Sequence, residues 1–155
     1  MLLTSLTTAI SEEIFFRGFL MGYIEYQLNI YWGLLISSIL FGIAHLTNGS
    51  YNFQDTILII IGIFIAGLFY GLLTLFYKTI WSSIILHFLF DSTQLFDITT
   101  KQSNQGIIEY VYVSSYKIIT GGGYGSTVSI ITVASFLILI LLLLSKMKLE
   151  SIRNE

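Results

Sequence analysis

ILIIIGIFIAGLFYGLLTLFY, residues 57–77, carries no charged side chain and no proline. A spanning α-helix needs about 17–25 mostly apolar residues, so this stretch reads as a membrane span. Its apolar run is continuous rather than alternating, which excludes the pattern of a membrane β-barrel. Within it, Gly67-x-x-x-Gly71 is a small-xxx-small pattern that permits close helix contact, more simply inside one bundle than across a dimer.

Outward from this span, Trp81–Phe96 follows after a very short connection, so the two segments should be antiparallel neighbours. Tyr31–Leu46 precedes it and ends at the polar Thr47-Asn48-Gly49-Ser50. Met1 to about Tyr26 is long enough to span, and Val128–Leu144 is a last uninterrupted apolar helix. The expected fold is all-α, a polytopic transmembrane helical bundle of about five spans. Residues 1–145 form its single domain, with a motif core at 11–91 and a polar loop at 97–127. Residues 146–155 are a charged C-terminal tail.

Composition agrees. Charged residues make up 10% of the chain, against about 25% in soluble domains. A net charge of −2 gives no reason to expect a nucleic acid or other anionic partner. The absence of cysteine excludes disulfides, thiol catalysis and thiolate metal sites. No cleavable signal peptide is expected, because Glu12 and Glu13 fall where an uncharged apolar stretch should be. With five spans, Lys78, Lys146, Lys148 and Arg153 share one side and Lys101 and Lys117 the other. The positive-inside rule then puts the tail in the cytoplasm. Trp32 and Trp81, near helix starts, read as interfacial anchors. The chain is thus expected to be a multi-pass integral membrane protein, in the plasma membrane if bacterial, with membrane lipid around it. In the polar loop, Ile107–Val113 is β-prone or interfacial. The run Gly121-Gly122-Gly123-Tyr124-Gly125 lacks the strand and Lys-Ser/Thr of a phosphate loop and reads as a helix lead-in.

Six ionisable side chains lie at membrane depth in three short patterns: Glu12-Glu13-x-x-x-Arg17, Phe41-x-x-x-His45 and His87-x-x-x-Asp91. Such groups are costly in hydrocarbon and by default face a bundle interior or a wet cavity. Glu13 and Arg17 are four apart with the acid N-terminal, the favourable order for a helical ion pair. Glu12 is turned by about 100° from Glu13 and has no sequence-local cation, which suits a general base working on water. Taken alone, the three residues would read as a packing salt-bridge cluster. Phe41 and His45 share a helix face, as do His87 and Asp91. Two imidazoles on separate helices with a carboxylate could hold a divalent metal such as Zn2+, through His45 and His87, and acidify its water. They could equally donate hydrogen bonds to a developing oxyanion without any metal. Serine catalysis is disfavoured: Ser83 has no Gly-x-Ser-x-Gly elbow, and Ser126 departs from the rhomboid pattern.

SEEIFFRGFL at 11–20, FGIAHL at 41–46 and HFLFD at 87–91, in that order and in successive hydrophobic segments, resemble the CPBP family (CAAX protease and bacteriocin-processing, also called Abi) of intramembrane proteases. The resemblance implies a membrane-embedded endopeptidase, a hydrolase often described as a metalloprotease. Glu12 then takes the role of the water-activating glutamate, with His45, His87 and Asp91 as the other catalytic residues. Glu13, Arg17 and Phe41 are supporting. Asp91 stands where the family often has asparagine, and an ionised Asp cannot donate a hydrogen bond. Family members usually carry further hydrophobic helices before the first motif, so the chain reads as a short member, a truncated product or a degenerate relative. The implied partner is a peptide or protein substrate, lipid-modified in the CaaX-processing relatives. The alternative is a non-catalytic relative acting in bacteriocin self-immunity or as a membrane partner. A bis-histidine haem carrier is a third reading, but it gives the Glu-Glu-x-x-x-Arg pattern no purpose.

Overall fold

The computed structural model of the protein describes residues 2–49, 51–99, 108–111 and 116–153. Its helices are α1 (Leu2–Glu13), α2 (Met21–Gln27), α3 (Ile30–Ala44), α4 (Phe53–Tyr77), α5 (Trp81–Ser92), α6 (Lys117–Thr120) and α7 (Ile130–Arg153). Between α1 and α2 the chain does not break: Ile14–Leu20 continues as a π-helix. A short parallel pair, β1 (Phe96–Thr99) with β2 (Ile108–Val111), is set in register Phe96 to Ile108. The class is all-α, as expected.

Two asparagines start the central helices. Asn29 Oδ1 accepts from the backbone N–H of Tyr31 (3.0 Å) and Trp32 (3.1 Å), capping α3. Asn52 caps α4 by accepting from the N–H of Asp55 at 3.0 Å, and its own amide returns a hydrogen bond to Asp55 Oδ2 at 2.8 Å. These bonds satisfy helix N-termini that would otherwise leave donors orphaned. α4 ends at Lys78 in the left-handed region (φ 53), and α5 begins three residues later. Thr74 Oγ1 donates to Ser83 Oγ across this turn at 3.1 Å. Ser83 is thereby a buried structural residue tying α4 to α5, in line with the case against serine catalysis.

α4 is the axis of the bundle. α3 crosses it so closely that a Cβ on Gly67 would lie 3.2 Å from the Ser38 backbone, and one on Gly71 would collide with Leu34. The Gly67-x-x-x-Gly71 pattern is therefore used within the bundle. One apolar core joins Ala66, Phe69, Tyr70 and Leu73 of α4 to Phe136 and Leu143 of α7. A second joins Phe16 and Phe41 to Ile59, Ile63 and Val128.

Among the described residues, three helical stretches are long and apolar enough to cross a membrane: Ile30–Thr47, Phe53–Tyr77 and Ile130–Glu150. They account for three of the five expected spans. The first segment is continuous helix from Leu2 to Gln27, carrying its three charges and the π-helix on the way. α5 differs from expectation: it stops at Ser92 after 12 residues, passing through a 3-10 turn into β1 where an apolar helix to Phe96 was expected. The outer faces of α3 and α7 remain apolar and exposed, including Ile39, Ile43, Ile138, Leu141 and Leu142, as suits a membrane protein. Trp32 and Trp81 are both exposed at helix starts. Residues 108–111 form a strand, in keeping with their β-prone composition, while Ile107, Tyr112, Val113 and Lys101 lie outside the described residues. The segment assigned to the tail continues α7 as far as Arg153.

Candidate active site

The π-helix begins directly after the acidic pair, so Glu13 is its N-terminal flanking residue and Arg17 lies within it. π-turns are rare and concentrate at functional sites. Glu13 is fully buried, and its Oε1 accepts from Arg17 Nη1 at 3.0 Å. The second guanidinium arm, Nη2, donates to the backbone carbonyl of Gly67 on α4 at 3.0 Å. The guanidinium also lies over the Phe41 ring, 4.3 Å from its centroid. One cation is thus held by a carboxylate, a carbonyl and an aromatic face from three helical elements, which makes its burial tolerable.

Both imidazoles are oriented by their Nδ1 atoms. His45 Nδ1–H donates to the Phe41 carbonyl one turn earlier at 2.8 Å. His87 Nδ1–H donates to Glu13 Oε1 at 2.9 Å. The Phe41 ring meets both imidazoles edge-on, and Tyr70 stacks flat on His87 with centroids 4.8 Å apart. With Nδ1–H engaged, each ring turns its Nε2 inward. Those nitrogens converge on Glu12: its Oε2 is 3.8 Å from His45 Nε2 and 3.9 Å from His87 Nε2. Asp91 Oδ2 is 3.5 Å from His87 Nε2. The structure therefore brings together all seven residues singled out from the sequence: Glu12, Glu13, Arg17, Phe41, His45, His87 and Asp91.

A cavity of about 50 Å³ opens beside the imidazoles, and its lining includes His45, Tyr70, His87 and Asp91 together with Gln94, Tyr124 and Thr127. That is room for a few waters, each needing roughly 10–15 Å³. Glu12 approaches the imidazoles from outside this lining, with its side chain 27% exposed. Tyr124 belongs to the glycine-rich run, which packs over the start of α4, and Thr127 lies in the turn that follows it. Lys117 Nζ binds buried Asp55 at 3.0 Å, and Gly122 lies so near that a Cβ would collide with Asp55 Oδ1. Gly121, Gly122 and Gly125 all have positive φ, which a side chain would resist. The run is thus an irregular wall of the cavity as well as a lead-in to α7.

The donor types suit zinc, but their placement does not. Among the described residues no group of three or more His, Cys, Asp or Glu side chains is arranged to hold a metal ion. Ligands about 2.0–2.1 Å from a tetrahedral zinc stand roughly 3.3 Å apart, closer than Glu12 Oε2 stands to either imidazole. A haem between the two imidazoles would have to displace the Glu12 carboxylate.

Tyr70, the Gly67 carbonyl and the glycine-rich wall escaped the motif reading. Tyr70 sits in an unbroken apolar run, and only its position three residues after Gly67 hints that it faces the crossing with α3.

No curated protein and no solved structure matches the chain. Residues 1–93 match the family model of type II CAAX prenyl endopeptidase Rce1-like proteins, a stretch containing all three patterns and all seven residues they singled out. Because that match spans more than half of its length, the chain belongs to the Rce1-like type II CAAX prenyl endopeptidase family.

Proposed function

We propose that the protein is an intramembrane endopeptidase that hydrolyses a peptide bond with water activated by Glu12. The observation that carries the reading is the convergence of Glu12 Oε2, buried without a hydrogen-bond partner, on the Nε2 atoms of His45 and His87. A water within hydrogen-bond reach of that oxygen can donate one proton to the carboxylate and the other to an imidazole. Glu12 takes the first proton as the water oxygen adds to the scissile carbonyl carbon. The tetrahedral intermediate then collapses, the C–N bond breaks, and Glu12 returns the proton to the leaving nitrogen. Glu13 and Arg17 hold His87 in the tautomer this requires, and Phe41 packs both rings in place. No step is routed through a metal ion.

The substrate class the family supports is a peptide or protein, and for this chain we extend it to a lipid-modified C-terminal segment presented from the bilayer. The Glu12 side chain, partly exposed, gives such a segment an approach. Mass spectrometry of cleavage products from co-expressed CaaX-type substrates, wild type against Glu12→Gln, tests the reading. Products that require Glu12 support it. Identical, uncleaved substrate in both would favour the non-catalytic relative acting in bacteriocin self-immunity or as a membrane partner.

A further inference from the structure

Among the described residues, three buried side-chain oxygens have no hydrogen-bond partner: Glu12 Oε2, Glu13 Oε2 and the Tyr70 hydroxyl. All three surround one site. Two are carboxylate oxygens, which only accept when ionised; the third belongs to a phenol, which donates. A buried hydroxyl left orphaned is costly, so it calls for a partner that arrives from elsewhere. Tyr70 is 1% exposed, lines the cavity, and is fixed by stacking on His87 and by its edge contact with Phe136, centroids 5.9 Å apart.

The surrounding chemistry specifies that partner. Hydrolysis turns the scissile carbonyl oxygen into an oxyanion, which needs hydrogen-bond donors aimed at it. The imidazoles spend their Nδ1–H groups on Phe41 and Glu13, and in the peptidase reading above an Nε2 accepts from the attacking water. Asp91, as a carboxylate, offers lone pairs as well. We propose that Tyr70 supplies the missing donor: its O–H binds the substrate's carbonyl oxygen in the cavity and strengthens that bond as negative charge develops. The proton stays on Tyr70 throughout, while the transferred proton travels through Glu12, so the step balances without another reactant. The same ring, stacked on His87, fixes the distance between donor and attacking water. This inference rests on the peptidase reading.

The test uses the full chain in lipid nanodiscs, with a quenched-fluorescent farnesylated CaaX peptide as substrate and a phosphinic analogue of that peptide as the tetrahedral mimic. Tyr70→Phe keeps the ring, its stack and the core, and removes the O–H. It is expected to unfold at the wild-type temperature, to lose roughly 10²–10³-fold in kcat with KM changed little, and to bind the phosphinic analogue more weakly in similar proportion. Wild-type kcat and phosphinate affinity in Tyr70→Phe would overturn the donor role, and Glu12-dependent cleavage would then still uphold the peptidase. Equal losses in KM and kcat with a lowered unfolding temperature would make Tyr70 a packing residue and also overturn it. No cleavage by wild type, and no phosphinate binding, would overturn the peptidase reading and the donor role together.

Discussion

Glu13 and His87 lie 74 residues apart in the chain and share a buried hydrogen bond, Nδ1–H to Oε1, of 2.9 Å. The same oxygen receives Arg17. One carboxylate atom therefore neutralises the buried cation and fixes the imidazole tautomer, while the neighbouring Glu12 carries no such duty.

From this division, Glu13→Gln should be far more damaging to folding than Glu12→Gln. It leaves Arg17 buried opposite a neutral amide, at a cost of about 3–5 kcal/mol for breaking a buried pair. Glu12→Gln removes the base and keeps the shape, so it should unfold near the wild-type temperature and show no turnover. Thermal unfolding in detergent, alongside cleavage assays, compares the two. Equal stability would contradict the assigned roles.

Arg17→Lys tests the fork. The guanidinium reaches Glu13 with one arm and the Gly67 carbonyl with the other, which a single ammonium does not reproduce with the same planar geometry. Losing one charge-assisted hydrogen bond should lower stability by about 1.5–3 kcal/mol although the charge is conserved. A fully stable Lys variant would show that charge alone matters there.

Metal removal has a definite expected result. Exhaustive dialysis against a chelator should leave cleavage unchanged, since the Glu12 oxygen and imidazole nitrogens stand wider apart than ligands of one zinc ion. Inactivation by the chelator, reversed by added Zn2+, would replace the metal-free mechanism with one in which His45, His87 and a carboxylate close around the ion.

Asp91→Asn places an amide donor in the cavity that Tyr70 also lines. In the Tyr70→Phe background it should raise kcat by roughly tenfold, the equivalent of one hydrogen bond of about 1.4 kcal/mol. A further fall in kcat would instead identify the Asp91 charge, 3.5 Å from His87 Nε2, as needed to support the imidazole.

The motif spacings were legible because helical neighbours four residues apart are set by local geometry: Glu13 with Arg17 and Phe41 with His45 meet as their separations imply. The convergence of Glu12 on His45 and His87 joins three separate helical elements, and its support came from family resemblance rather than spacing. The expected α5 runs too far because Leu95 and Phe96 extend the apolar character beyond Phe90, whereas the polar Asp91-Ser92-Thr93-Gln94 lies between and the backbone leaves the helix at Thr93. Tyr70 was hidden for the opposite reason. A tyrosine in an apolar span carries no signal until the ring it stacks on and the hydroxyl it orphans are seen.

The π-helix at Ile14–Leu20 lets one continuous rod carry an extra residue without turning its two ends against each other. Its hydrogen bonds reach five residues back instead of four, so seven residues wound this way turn through about as much as six of an ordinary helix. Deleting the exposed Phe19 should therefore let the stretch return to ordinary winding with Glu12 and Glu13 still facing the imidazoles. Adding a residue there should turn them away.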